Sequence, residues 1–364
     1  MPRLNHITIA DFRNISLAEL DFSPNVNCIV GGNGEGKTNL LDAIHYLSVA
    51  KSFLGLQDRY NIRYGCEAFS LCGHYTLESG LGTKIALRAG VAEKTLRRDD
   101  KPLKKLSSHI GLLPIVTVSP ADGALVSEAG EERRRFANLV LAQTDAPYLA
   151  ALQQYNKLLQ QRNRLLKEDH PDEGLLEVLD VQMDACAAPI FEKRQELATL
   201  LSPVVAGYYA RLSDGKENVQ IRYRSDLQHG SLKELLERSR IRDLMLHYTG
   251  CGIQRDDFSF EMGGEPIRRC GSQGQQKTFL VALKFAQYEL MKHRCSLPPT
   301  LLLDDVFDKL DLERTGRLIA MVAKEDFGQI FITDCNKSRL QPLVEEATAD
   351  SAWFQAEGGR FTAL

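Results

Sequence analysis

The chain has 364 residues, 43% hydrophobic and 26% charged, an ordinary globular balance that excludes global disorder and collagen-like repeats. That length predicts about two domains, or one domain carrying a large insertion. With 45 basic and 48 acidic residues the formal charge is −3, which excludes a uniformly basic coat and argues against a general nucleic-acid binder unless basic residues are concentrated locally.

No apolar run approaches the ~18 residues of a membrane-spanning helix. The opening MPRLNHITIADFRN lacks the apolar stretch of a secretory signal. The cysteines are Cys28, Cys66, Cys72, Cys186, Cys251, Cys270, Cys295 and Cys335, with no CxxC pair. They predict reduced thiols in a cytoplasmic protein rather than a zinc site.

The first informative element is the short apolar run Val26 to Val30, suited to a buried strand. Gly31, Gly32, Asn33, Gly34, Glu35, Gly36, Lys37 and Thr38 follow and fit G-x-x-x-x-G-K-[ST]. Glycines let the backbone wrap its N–H groups around a phosphate; Lys37 then reaches the β- and γ-phosphates and the Thr38 hydroxyl ligates Mg²⁺. From Asn39 onward, Leu40, Leu41, Ile44 and Leu47 recur at helical spacing, so strand, loop and helix succeed one another as a nucleoside-triphosphate site requires. We count Asn39 with the loop residues at the nucleotide.

Up to about residue 118 the chain alternates in the manner of strands, as in TKIALRAGV at 83–91. Within 94–105, Lys94, Arg97, Arg98, Lys101, Lys104 and Lys105 make a basic cluster diluted by two acids. Arg133, Arg134 and Arg135 form a second, and Lys157, Arg162, Arg164 and Lys167 a third. Such clusters can neutralise phosphates, and each is also compatible with a plain solvated face. From Pro147 to about Ala210 two apolar faces at three-to-four spacing, interrupted by His170 to Gly174, predict an antiparallel helical hairpin whose first helix has about 20 residues and spans ~30 Å. Residues 232–246 read as a further amphipathic helix.

GSQGQQKT at 271–278 precedes another apolar helical run, with Ser272 placed as an N-cap and Gly274 allowing close backbone approach. TLLLDD at 300–305, after Pro298 and Pro299, predicts a buried strand ending in Asp304 and Asp305. Two adjacent carboxylates at an apolar strand end need a purpose. We assign Asp304 to Mg²⁺, and Asp305 to orienting or deprotonating the attacking water. IFITD at 330–334 predicts one more strand, with Thr333 near its end. Lys37 and Asp304 lie so far apart that the nucleotide domain must be split around an insertion.

Ser272-Gln273-Gly274-Gln275 is similar to the signature of ABC-type ATPases, and Asp308-Lys309-Leu310-Asp311 resembles their D-loop. IADFRNI, Ile9 to Ile15, resembles the start of ABC heads that act on DNA. The middle, Glu132 to Lys167, resembles one family closely, the RecF recombination mediators, and the likeness covers essentially the whole chain. It implies an α/β fold: an ABC-type ATPase head in two pieces, 1–118 and 249–364, around a helical lobe at 119–248 that carries a short antiparallel arm.

The same resemblance implies an ATP-dependent homodimer, with Ser272, Gly274 and Gln275 touching the γ-phosphate in trans, Asp311 at the dimer seam and Asp308 in the D-loop. It places Arg13 and Asn14 beside the nucleotide and gives Thr333 a γ-phosphate role; Gln57 is a Q-loop candidate. It implies ATP and Mg²⁺ as cofactors, and double-stranded and gapped DNA, RecR, RecO and the RecA recombinase as partners. The implied activity is slow, DNA-stimulated ATP hydrolysis used as a switch in recombinational repair, replication restart and the SOS response, since an Asp-Asp pair is shorter than the Asp-Glu of fast ABC enzymes. The alternatives are a transporter's nucleotide-binding subunit, whose motifs are more closely spaced, and a nucleotide-switched DNA clamp without hydrolysis, which a turnover assay separates.

Overall fold

A computed structural model describes residues 2–364 apart from 129, 214, 216, 296, 307–311, 325 and 326. The chain forms two compact units, Met1–Gly123 with Lys284–Leu364, and Ala124–Leu283. Its first stretch supplies β1 (Arg3–Phe12), β2 (Ile15–Asp21), β3 (Val26–Val30), β4 (Ala68–Thr76), β5 (Gly82–Gly90), β6 (Lys94–Arg98), β7 (Lys101–Pro102) and β8 (Ile115–Val118). The second unit contributes β9 (Val219–Arg224), β10 (Asp257–Met262) and β11 (Glu265–Pro266). The chain then returns with β12 (Thr300–Asp304), β13 (Ile330–Asp334), β14 (Ser351–Glu357) and β15 (Arg360–Ala363).

The first unit has two sheets. One runs β15-β14-β3-β13-β12-β8, parallel throughout except for the edge pair β14–β15. Every residue of β3, β8 and β13 is buried, as expected of parallel strands covered on both faces. Parallel pairing brings the C-terminal ends of β3, β12 and β13 to one edge, where ligands of open α/β sheets bind. The second sheet, β2-β1-β4-β5-β6-β7, is antiparallel and alternates, with Ile7, Ile9, Phe69, Leu71, Ile85, Leu87 and Leu96 inward. Helix Lys37–Val49 contacts strands of both sheets, which accounts for burial of His45, Tyr46 and Ser48 as well as the expected Leu40, Leu41, Ile44 and Leu47.

In the second unit, helices Ala146–Leu165 and Glu173–Ser213 form the arm. The first has the 20 residues expected. The second has 41 and continues through Pro189 and Pro203, so it is roughly 60 Å long at 1.5 Å per residue. Its buried face includes Leu176, Leu179, Met183, Ile190, Leu197 and Leu201. Arg162, expected among the outward basic residues, is fully buried instead. Its Nε donates to Asp180 at 2.6 Å and its Nη1 to Asp243 at 2.8 Å, tying the arm to helix Leu232–Leu246. Removing one member of such a buried ion group costs ~3–5 kcal/mol, because its partners are left charged and unpaired.

The return to the first unit lies at Lys284, inside helix Gln273–Cys295, rather than at 249. The reason is non-local pairing: β10 lies along β9 from Asp257↔Arg224 to Met262↔Val219. Arg194 Nη1 also donates to Asp256 at 2.6 Å. All eight cysteines are free thiols.

His45 is buried within helix Lys37–Val49, its Nδ1 3.0 Å from the Lys51 carbonyl, and burial pushes its pKa down to about 4. The unfolded chain therefore binds a proton below about pH 6.5 that the folded chain refuses. The stabilisation is full above that pH and is lost as pH falls toward 4, by on the order of 3 kcal/mol. Denaturant unfolding at pH 7 and pH 4.5 should show His45→Gln losing distinctly less stability on acidification than the unmodified protein; equal losses would refute the assignment.

Candidate nucleotide site

β3 runs into the loop Gly31–Gly36, and helix Lys37–Val49 begins directly after it. Gly34 and Gly36 have φ of 84° and 104°, the left-handed region that favours glycine. The Lys37 ammonium folds back over the loop, donating to the carbonyls of Gly31 at 2.8 Å and Gly32 at 3.0 Å. It lies 4.0 Å from Asp305 Oδ1. Gly32, Asn33 and Gly34 are exposed at the rim. The site is thus an open loop with an inward-folded cation beside it.

Register places Asp304 opposite Thr333 across β12–β13, and Thr333 opposite Ile29 across β13–β3. The Thr38 hydroxyl lies 2.9 and 3.0 Å from the two oxygens of Asp304, and the Thr333 hydroxyl donates to Oδ1 at 2.8 Å. Burial raises the Asp304 pKa to about 6; the hydrogen bonds from Thr333 and Thr38 and the charge of Lys37 offset part of that rise, and the charge of Asp305 adds to it. Asp305, at φ 45°, donates its backbone N–H to Thr333 Oγ1 at 2.9 Å.

Thr38 and Asp304 present adjacent hard oxygen donors, the chemistry of a Mg²⁺ site. Among the described residues no group of three His, Cys, Asp or Glu side chains could hold a metal.

The turn between β1 and β2 buttresses the loop. Asn14 accepts from Asn39 Nδ2 at 2.7 Å and donates to the Gly34 carbonyl at 3.4 Å. Arg13, beside it in sequence, spends its guanidinium on protein. It donates to Asn39 at 2.9 Å, Asp42 at 2.5 Å, Ser52 at 3.1 Å and Asn61 at 2.8 Å. It therefore braces the phosphate-loop helix rather than reaching outward. Gln57 is exposed ahead of a short turn.

The turn Gly358-Gly359 of the β14–β15 hairpin was not anticipated at this site. Gly359 N–H donates to the Glu35 carbonyl at 2.9 Å and Gly358 N–H to the Glu35 carboxylate. A Gly-Gly pair between two strand-like runs is the sequence signal that would have found the turn, though not its target.

In the second unit Ser272 and Gln275 form a reciprocal cap: Gln275 N–H donates to Ser272 Oγ at 3.3 Å, and Ser272 N–H to Gln275 Oε1 at 2.7 Å. Gln275 Nε2 also donates to Glu217 at 2.8 Å, so both ends of that amide have a protein partner. Ser272 and Gly274 are exposed. Asp308 and Asp311 lie outside the described residues.

Strand alternation splits the basic run of β6. Thr95 and Arg97 face outward with Arg88 of β5, since Arg88 pairs with Thr95 and Ala86 with Arg97. Lys94, on the opposite face with buried Leu96, turns inward to the Ala50 carbonyl at 2.5 Å and Asp58 at 3.1 Å. Arg98 lies near Asp99, and Lys101, Lys104 and Lys105 are exposed. In the other cluster Arg133 is buried against Asp257 at 2.8 Å, Arg134 donates to the Asp256 carbonyl at 2.8 Å, and Arg135 pairs with Glu132 at 3.0 Å. Lys94 and Arg133 are therefore structural ion pairs, correcting their expected place on an open phosphate-binding surface.

The family model of an AAA domain matches residues 6–64. The DNA replication and repair protein RecF of Porphyromonas gingivalis (strain ATCC 33277) is 44% identical over 360 residues, covering 98% of this chain and 99% of that protein. RecF of Flavobacterium johnsoniae is 41% identical over 349 residues, 94% of this chain and 96% of that protein. The chain belongs to the RecF family. A structure of the recombination mediator RecF with ATP, from the RecFOR pathway, matches at 30% identity with a TM-score of 0.90, covering 100% of this chain and 98% of that one. The Smc head domain of Pyrococcus furiosus matches at 15% identity and a TM-score of 0.58, a likeness of fold alone. The fold of this chain is accordingly that of an ABC-type ATPase head, split in sequence around a helical lobe.

The hairpin contact is testable through two neighbouring glycines, both at positive φ. A Cβ on Gly359 would lie 2.3 Å from the Asn14 carbonyl oxygen, whereas one on Gly358 meets nothing within 4 Å. Gly358→Ala should cost about 1–2 kcal/mol from its left-handed backbone. Gly359→Ala should cost at least ~2 kcal/mol more, since backbone must move, and should also weaken nucleotide binding. Equal unfolding midpoints for the two variants would show that the hairpin does not press on the Asn14 turn that buttresses the loop.

Proposed function

We propose that this RecF-family chain is an ATP-switched DNA-binding protein of recombinational repair and replication restart. The observation that carries this reading is the meeting of Lys37, Thr38, Asp304 and Asp305 at one edge of the parallel sheet, in a chain that matches RecF proteins over 98% of its length. ATP lies along the loop Gly31–Gly36, with Lys37 released from its carbonyls to the β- and γ-phosphates. Thr38 and Asp304 would hold Mg²⁺, which would neutralise phosphate charge. Asp305 orients the attacking water and accepts its proton.

The exposed Ser272 has its lone pair engaged by Gln275 N–H, leaving its hydroxyl proton to donate to a γ-phosphate held by a second subunit. Two heads then close on two nucleotides, and hydrolysis, slow because both acids are aspartates, reopens them. RecR, RecO and RecA are the protein partners by family. A cytoplasmic location accords with the absence, among the described residues, of a helix long and apolar enough to cross a membrane.

Lys37→Ala should abolish ATP binding and nucleotide-dependent dimerisation, whereas Ser272→Arg should leave monomer ATP affinity within about twofold and block the dimer. Sedimentation with and without ATP separates them. Loss of monomer binding in Ser272→Arg would exclude the trans arrangement.

For DNA, the outward cations Arg88, Arg97, Lys101, Lys104 and Lys105 are exposed and suit phosphate contact without base readout. Arg88→Glu with Arg97→Glu should weaken duplex binding about equally for all sequences and lower the salt slope by roughly 2. A salt series on duplex, single-stranded and gapped DNA checks this; an unchanged slope would move the DNA elsewhere.

A further inference from the structure

Thr333 is wholly buried, and its hydroxyl both donates and accepts within the protein. A hydroxyl has one proton. Here that proton goes to Asp304 Oδ1 at 2.8 Å, while the oxygen accepts from the Asp305 N–H at 2.9 Å. It follows that Thr333 has no proton left for a γ-phosphate, the role its place at the strand end suggested. The β12–β13 ladder ends at Asp304↔Thr333, so Asp305 N–H is taken over by a side chain where strand pairing stops. Asp305 also sits at φ 45°, a conformation that costs an L-residue ~1–2 kcal/mol and has to be held by its surroundings.

We propose that Thr333 is the positioning residue of the ATPase site. One hydroxyl fixes the carboxylate of the metal-ligating Asp304 and the backbone of the water-orienting Asp305, so that the two acids keep a single relative placement. This rests on the ATPase reading above. It assigns Thr333 no contact with nucleotide, and predicts that the hydroxyl, not the side-chain volume, matters. Thr333→Val keeps the shape, removes the proton from Asp304 and leaves the Asp305 N–H without its acceptor. Thr333→Ser keeps both bonds.

The test uses the full-length protein with fluorescent ATP in EDTA, a Mg²⁺ titration of nucleotide binding, and single-turnover hydrolysis. Thr333→Val should hold ATP in EDTA within about twofold of the unmodified protein, need at least several-fold more Mg²⁺ for half-maximal stimulation of binding, and hydrolyse at least about tenfold more slowly. Thr333→Ser should restore both values to within about threefold. Hydrolysis and Mg²⁺ dependence unchanged in Thr333→Val, or a serine variant as impaired as the valine one, would overturn the proposal. Weakened ATP binding in EDTA in Thr333→Val would instead mean direct nucleotide contact, and overturns it too. Should the valine variant not fold, Thr333→Cys, a far weaker donor and acceptor of similar size, takes its place. If the unmodified protein binds ATP but does not hydrolyse it, the hydrolysis reading fails and the Mg²⁺ titration alone decides the role of Thr333.

Discussion

The parallel pairing of β13 between β3 and β12 is the constraint on which the site depends. It fixes three strand ends side by side, so that a loop from one, a carboxylate pair from the next and a threonine from the third meet within hydrogen-bonding distance. The three contributions come from separate stretches of chain: Thr38 and Asp304 are 266 residues apart, and Asp304 and Thr333 are 29. A shift of one residue in either ladder would turn Asp304 or Thr333 to the opposite face of the sheet.

Burial sets the chemistry at that edge. Asp304 in water would be ionised at any physiological pH; enclosed here its pKa is raised to about 6, two hydroxyls and a nearby ammonium offsetting part of the rise. Polar groups elsewhere are treated the same way. Arg13, Arg162, Arg194 and Arg133 each enter the protein only with carboxylates or carbonyls already in place. The cost of desolvating an ion explains why so many of the chain's arginines serve its architecture rather than its surface.

Much of this was legible in the sequence. Continuous apolar runs marked β3, β12 and β13, the glycine pattern marked the loop, and three-to-four periodicity marked the arm. These are local signals. What stayed hidden was non-local or directional. The lobe's true return point depends on β9 pairing with β10. The second arm helix, whose apolar face was legible to about Ala210, continues unbroken through Pro189 and Pro203 to Ser213. A run of basic letters states charge but not direction, and one face of β6 takes Lys94 inward while the other takes Arg97 out. For Thr333 the residue was legible and its partners were not, since a hydroxyl's bonds depend on register between strands.

β3 has a further consequence for how the protein comes into being. Both of its strand partners, β13 and β14, are made about 300 residues after it; Asn27 and Ile330, bonded across the ladder, are 303 residues apart. The Gly358-Gly359 turn that braces Glu35 comes later still. During synthesis the phosphate loop therefore hangs from a strand without neighbours, and loop closure over such a distance is a late and slow event in folding. The helices of the arm, by contrast, lie close together in sequence, at Ala146–Leu165 and Glu173–Ser213. Only a chain made past β14 can complete the six-stranded sheet that holds the loop Gly31–Gly36 in place.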